Sequence, residues 1–235
     1  MGNYKPFPFK IPFTRPVTKP FKRPFDVDNS CVLCLVPEIR TKWFDQSIYG
    51  NNGVITGCTK IDGRFGMGLD YGTTGADTYV EIPDSSELRL TTGGTIMGWW
   101  YIRGLGGGGA GRLWDKKSRY IIYTYTNNTI VMVLQATVGA TTSKINAFSF
   151  DTWSHIAITI ADTEKKIYVN GEDVTQTEGG DGLPVDGDGF LGIGNLGIGV
   201  RNRSINGICD ETEILNKVFT AEEIKAVYEA GKPEG

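Results

Sequence analysis

The stretch WSHIAITIADTEKKIYVNGEDVT, residues 153–175, decides how the rest of the chain is read. In its first half Ile156, Ile158 and Ile160 alternate with Ala157 and Thr159, the two-residue period of a strand. One face of that strand is apolar, and Trp153 opens it where an indole can cover one end of a core. In the second half KKIYV runs into Asn170-Gly171 and out through EDVT. Asn-Gly between two β runs predicts a hairpin with a type I′ turn, because both central residues must take positive φ. Antiparallel strands with one apolar face need a second layer to cover it. The segment therefore points to an all-β chain.

Outward from this hairpin, short β runs alternate with turn signals. Strands are expected at Cys31–Val36, Leu69–Tyr71, Tyr79–Ile82, Thr95–Ile102, Tyr120–Tyr125, Ile130–Gln135, Trp153–Ile160, Lys166–Val169, Phe190–Ile193 and Ser204–Leu215. Between them lie Gly50-Asn51-Asn52-Gly53, Asn127-Asn128 and a Gly/Asp-rich loop. In GTIMGWWYI, residues 94–102, both alternating sets are apolar, which places this strand at the centre of a sheet covered on both faces. The absence of a 30-residue period excludes a propeller or solenoid. One helix is expected, near the C-terminus. Thr220-Ala-Glu-Glu223 reads as a capping box, Ile224, Val227 and Tyr228 form one stripe, and Gly231 supplies the stop.

Composition agrees. Among 235 residues 40% are hydrophobic, five are Trp and 32 are Gly, enough core and enough turns for one large sandwich. The formal net charge of -3 argues against a general nucleic-acid binder. No stretch is long and apolar enough to span a membrane. Pro and Lys interrupt any secretory signal core, and Pro6 stands where a myristoylation signal needs Ser or Thr, so synthesis in the cytosol is expected. Cys31 and Cys34 form a CxxC, but CVLCLV reads as a strand, which puts the two on opposite faces. With Cys58 and Cys209 far apart, free thiols are favoured over a zinc site, and a bridge to Cys209 stays open.

Residues 1–30 are a separate element. Lys5, Lys10, Arg15, Lys19, Lys22 and Arg23 carry +6 without an acid before residue 26, leaving 18 bases and 27 acids, or -9, for the remainder. Pro8, Pro12, Pro16, Pro20 and Pro24 recur every fourth residue. Such density excludes helix and favours an extended chain, reaching roughly 3.1 Å per residue. Phe7, Phe9, Phe13, Phe21 and Phe25 are an unusual apolar load for a tail, and are expected to bind grooves on a protein partner.

Seven stretches resemble the laminin G-like branch of the concanavalin A-like jelly rolls: WFDQSIYGNNGVITG at 43–57, GRFGMGLDYG at 63–72, TYVEIPDSSEL at 78–88, GTIMGWWY at 94–101, WSHIAITI at 153–160, KIYVNGEDV at 166–174 and GICDETEILNKVFTAEEIKAVY at 207–228. Their order matches over residues 31–230. The resemblance implies a two-sheet antiparallel jelly-roll sandwich at residues 31–235 with a short C-terminal helix, binding or structural roles, and frequently one calcium ion. Alternation puts Asp210 on the face of Thr212 and Ile214, pointing inward, where a carboxylate needs a cation or several donors. The resemblance sets the final strand beside the first and its following loop, so Asp45 and the carbonyls of Asn51 and Asn52 would complete a calcium shell with Asp210. The competing reading makes Asp45 an Asx-turn former and Asp210 an acceptor of amide bonds.

Other signals are weaker. DGLPVDGDG, with Asp181, Asp186 and Asp188, lacks the Glu an EF-hand requires and reads as a polar loop. Glu211 and Glu213 share a face with Leu215, but Asp-Glu-Thr-Glu breaks the spacing of related glycoside hydrolases, so a solvated surface or interface is expected. His155, the single histidine, is expected to be structural. GLGGGGAG, residues 104–111, lacks the Lys-Ser/Thr of a phosphate loop and reads as a turn. Asn127-Asn128-Thr129 is a glycosylation sequon, expected to be unused.

Three classes of function compete. The leading expectation is a non-catalytic structural or decorating protein of a larger assembly, such as a virus or phage particle, attached through the arm and carrying a lectin-like domain at the particle surface. The alternative is a glycan-binding adhesin or receptor-binding module. A carbohydrate-active enzyme is the remote third, because its motif is missing.

Overall fold

The computed structural model of the chain describes residues 30–36, 42–72, 77–117, 119–135, 139–195 and 202–232. Phe7, Phe9, Phe13, Phe21 and Phe25 of the arm lie outside these residues. The alternating runs become strands β1 Cys31–Val36, β2 Lys42–Asp45, β3 Gly53–Thr56, β4 Thr59–Asp62, β5 Met67–Asp70 and β6 Tyr79–Ile82. They continue as β7 Gly94–Gly104, β8 Arg112–Lys116, β9 Tyr120–Tyr125, β10 Thr129–Leu134, β11 Thr141–Ser143 and β12 Trp153–Ile160. The last are β13 Lys165–Val169, β14 Glu172–Asp173, β15 Thr175–Thr177, β16 Leu191–Ile193 and β17 Asn206–Leu215, followed by helix α1 Ala221–Ala230. Beyond the expected strands the structure adds β2, β3, β4, β8, β11 and β15. These run three to five residues; some mix charged with apolar side chains, as in KWFD, TKID and RLWDK, and others are short and polar, as in TTS and TQT, so little period shows in them.

Among the described residues every strand pairing is antiparallel, and the strands fall into two sheets. The first runs β14-β13-β12-β7-β17, whose far edge is shared by β5 and β1, with β4 beyond β5. The second runs β3-β6-β16-β8-β9-β10-β11-β15. Strand β2 turns the corner: Phe44 and Asp45 pair with β1, whereas Lys42 and Trp43 pair with β3. The expected all-β sandwich is the fold observed.

Between the sheets Trp100 of β7 meets Trp114 of β8 edge to face, with centroids 5.3 Å apart. Trp43, Leu69, Ile82, Ile122, Ile156 and Ile214 are fully buried in the same core. The other face of β7 and β12 is covered too. Ile224, Val227 and Phe219 pack on Met97, Ala157, Tyr168 and Leu215, which places α1 on the outside of the first sheet. That is why GTIMGWWYI is apolar on both faces. The capping box forms, with Thr220 Oγ1 accepting from Glu223 N at 3.2 Å and Thr220 N donating to Glu223 Oε2 at 2.9 Å. Asn170 and Gly171 take φ 53° and 79° in the hairpin read from the sequence.

Strand β17 departs from simple alternation. Asp210 pairs with Trp99 and Glu213 with Met97, so Glu211 and Thr212 both oppose Gly98. Glu211 takes φ 49°, and the bulge resets which residues face inward. Cys209 and Thr212 meet at 3.3 Å on the core side. Asp210, expected to point inward with Thr212 and Ile214, faces outward toward Phe65 and Trp99. Glu213, expected on a solvated surface or at an interface, is buried, with 4% exposed.

Glycines at positive φ separate two destabilising effects. Gly50 has φ +67° and open space around it. Gly194 has φ +79°, and a Cβ there would overlap the buried ring of Tyr71. Gly50→Ala is expected to lower unfolding free energy by about 1 kcal/mol from backbone strain alone. Gly194→Ala is expected to lower it by about 3 kcal/mol, since overlap adds to strain. Urea denaturation of the two variants checks this; equal losses would contradict the packing described.

Candidate binding groove

The expected calcium ligands do not form one oxygen shell. Asp45 Oδ1 accepts from Cys34 N and Ser47 N, each at 2.9 Å, and Oδ2 from Ser47 Oγ at 2.6 Å and Asn51 N at 2.7 Å. A carboxylate accepting four hydrogen bonds is already satisfied as an Asx-turn centre. Asn52 Oδ1 accepts from Asp45 N at 3.0 Å, and Asn51 Nδ2 donates to Val32 O at 2.8 Å. Asp45, Asn51 and Asn52 thus come together, but as a closed hydrogen-bonded loop. Asp210 is on β17, with β1 between it and β2, and its Oδ2 accepts from Phe65 N at 2.8 Å. Among the described residues no three His, Cys, Asp or Glu side chains gather closely enough to hold a metal ion. As placed, Asp45, Asn51, Asn52 and Asp210 do not gather into the expected calcium shell.

The remaining sequence signals resolve as structure. Asp186 pairs with Arg89 at 2.8 Å and Asp188 with Lys117 at 3.3 Å, so cations hold the Gly/Asp loop. The glycine turn packs tightly, with Gly107 buried and its N donating to Ser204 O. All four cysteines are free thiols. His155 is buried at 1% exposure, with its ring 5.3 Å from Trp99 and stacked on Tyr228. Its backbone N donates to Asn170 Oδ1, which ties β12 to the hairpin.

What the structure leaves open is the outer face of the second sheet. A shallow groove of about 720 Å³ lies where β9, β10, β11 and β15 meet. Tyr125, Asn127, Thr129, Thr142, Lys144 and Gln176 line it, with Ile145 at the rim. Tyr125 is 47% and Ile145 66% exposed, large for apolar side chains on a folded surface. Tyr123 stands edge-on to Tyr125 at 6.2 Å, and Arg112 lies over Tyr123 at 4.6 Å, extending an aromatic row away from the groove.

The rim is preformed. Asn127, Asn128 and Asn146 have φ 57°, 51° and 55°, the left-handed region that Asn tolerates. Asn146 N donates to Asn127 O at 2.8 Å and Ala147 N to Asn128 O at 3.1 Å, clasping the two loops together. Ser143 Oγ accepts from Ile130 N at 2.8 Å and donates to Lys144 O at 2.9 Å. Flat rings beside fixed hydroxyls and amides suit a ligand with one apolar face and a hydroxylated edge.

A family model described as the concanavalin A-like lectin/glucanases superfamily, of the laminin G type, matches residues 74–225, and the chain belongs to that family. No curated protein matches it in sequence. Solved structures share the fold. The binding domain of Paraclostridial Mosquitocidal Protein 1 aligns with TM-score 0.68 and 17% identity over 85% of this chain and 52% of that one. The binding domain of Botulinum Neurotoxin DC, solved in complex with SialylT, aligns with TM-score 0.66 and 16% identity over 87% and 52%. Trypanosoma rangeli sialidase in complex with sialic acid aligns with TM-score 0.65 and 14% identity over 86% and 33%. The chain spans about half of the toxin binding domains and a third of the sialidase.

Burial moves two groups under α1 in opposite directions. Asp210 is pushed up to about 7, chiefly by loss of solvent, and His155 down to about 4 for the same reason. Between about pH 4 and 6.5 native Asp210 keeps a proton that the unfolded chain releases, so its contribution to stability falls as pH rises. Native His155 lacks a proton that the unfolded chain takes up, so its contribution rises with pH. In the wild type the two slopes oppose. Asp210→Asn should make urea stability climb with pH across that window, and His155→Gln should make it decline. Variants that both parallel the wild type would contradict this pairing.

Proposed function

We propose that the chain is a non-catalytic glycan-binding module whose ligand sits in the β9–β10–β11–β15 groove. The observation that carries this is the exposed Tyr125 ring beside fixed polar groups on a preformed rim. A sugar offers an apolar ring face to such an aromatic and hydroxyls to Thr, Asn and Gln. Among the described residues no carboxylate lines the groove, whereas the usual route of glycoside hydrolysis needs two. The likeness to toxin binding domains, one of them solved with SialylT, is consistent with binding rather than turnover.

Glycan-array binding by the full chain tests the proposal. Tyr125→Ala and Gln176→Ala should each weaken binding of a captured saccharide about tenfold, the loss of roughly 1.4 kcal/mol, without moving the melting temperature. A saccharide bound equally well by both variants would remove the groove as its site.

The composition of residues 1–25 favours a second role alongside the first: attachment to a larger assembly such as a virus or phage particle. Five phenylalanines left in water cost roughly 25 cal/mol per Å² of apolar surface, which burial in a protein partner recovers. Proline stiffness lowers the entropy lost on ordering. Deleting residues 1–25 should leave melting and glycan binding intact but abolish incorporation into the assembly. A truncated chain that still assembles would reduce the arm to a tail.

A further inference from the structure

The groove holds a cation with nothing to neutralise it. Lys144 is exposed there, and its Nζ makes no hydrogen bond or ion pair among the described residues. The other cations with described side chains are committed. Carboxylates hold Arg89, Arg103, Arg112, Lys116, Lys117, Lys166, Lys217, Lys225 and Lys232. Backbone or amide oxygens hold Arg64, Arg119, Lys165 and Arg203, and Lys60 is also engaged. Residues 26–235 contain 18 bases and 27 acids, so cations there have carboxylates to spare. The one that stays uncommitted lies in a groove that no carboxylate lines.

We propose that the groove's ligand is an acidic glycan, a saccharide bearing a carboxylate or sulfate, and that Lys144 Nζ pairs with its anion. This rests on the glycan-binding reading above and narrows it to one class of sugar. The lysine is prepared for the task. Its N donates to Val174 O at 2.7 Å and its O accepts from Ser143 Oγ at 2.9 Å, so only the side chain must be ordered on binding. An ammonium is a compact point charge, able to pair with carboxylate or sulfate without a fixed bidentate geometry. Repulsion from the acidic surface elsewhere would confine such a ligand to this place. The same charge argues against the basic arm of a second copy as the groove's occupant.

The test uses the full chain and matched saccharides: 3′-sialyllactose against lactose, hyaluronan hexasaccharide against chitohexaose, and a heparin tetrasaccharide. At low salt at least one acidic probe should bind ten times or more tighter than the neutral sugars, and the ratio should shrink at high salt. Lys144→Ala should reduce it below about threefold, and Lys144→Arg should retain it. Sialyllactose or hyaluronan alone identifies a carboxylate ligand, heparin alone a sulfated one. Neutral sugars bound as tightly as acidic ones, unaffected by Lys144→Ala, would overturn the acidic class while leaving the glycan reading in place. Failure of every saccharide, charged or neutral, would overturn both, as would an arm peptide of residues 1–25 seated in the groove.

Discussion

The edge-to-face contact between Trp100 and Trp114 joins the two sheets, and the rest of the structure is arranged to permit it. Such a pair is worth about 0.5–1.5 kcal/mol beyond the area it buries. Gly98 lies close beside it: a Cβ at that position would stand 3.1 Å from the Trp114 ring and 3.3 Å from both Glu211 O and Thr212 Oγ1, tight enough that these neighbours would have to give. The bulge in β17 sits directly opposite this glycine, where two residues fit against one. A side chain at position 98 would press on the indole, the bulge or both. Three features that look independent in sequence are thus one packing solution.

That solution also determines which surface is available. The bulge turns Asp210, Glu213 and Leu215 to the outside of the first sheet, next to Met97 and Trp99. This surface is too apolar to leave in water, and α1 closes it. Arg64 completes the closure, lying 4.6 Å over the Trp99 ring and donating to Gly231 O at 3.0 Å. Beneath it a buried acid and a buried histidine are held near neutrality. With the first sheet sealed, the outer face of the second remains, and there the tyrosines of β9 stand exposed.

The fold was largely legible because its strongest signals are local. The Asn170-Gly171 hairpin, the capping box at Thr220 and the double apolar pattern of β7 each lie within about a dozen consecutive residues, and each formed as read. Asp210 was misread because alternation assumes a regular strand, and the left-handed Glu211 resets it; nothing in DETEIL announces that position. Asp45, Asn51 and Asn52 do come together, with the acid accepting from backbone amides and the Ser47 hydroxyl. The groove was hidden for another reason. Its lining comes from residues 125–131, 142–145 and 176, brought together only by pairing of β9, β10, β11 and β15. One part was readable: in YIIYTY, Tyr123 and Tyr125 alternate with the inward Ile122 and Thr124, placing two tyrosines on the outer face.

The proposed function rests on the open second sheet and its tyrosine-lined groove, in a chain of the concanavalin A-like family. The groove's assignment as the binding site is its central claim. Amide chemical-shift mapping of the isotope-labelled full chain during titration with 3′-sialyllactose tests it most directly. Saturable shifts are expected at Tyr125, Asn127, Thr142, Lys144 and Gln176, with α1 and the Asp45 loop unmoved. Shifts centred on the Asp45 loop or the face under α1, or none with 3′-sialyllactose or any of the other test saccharides at millimolar concentration, would contradict it.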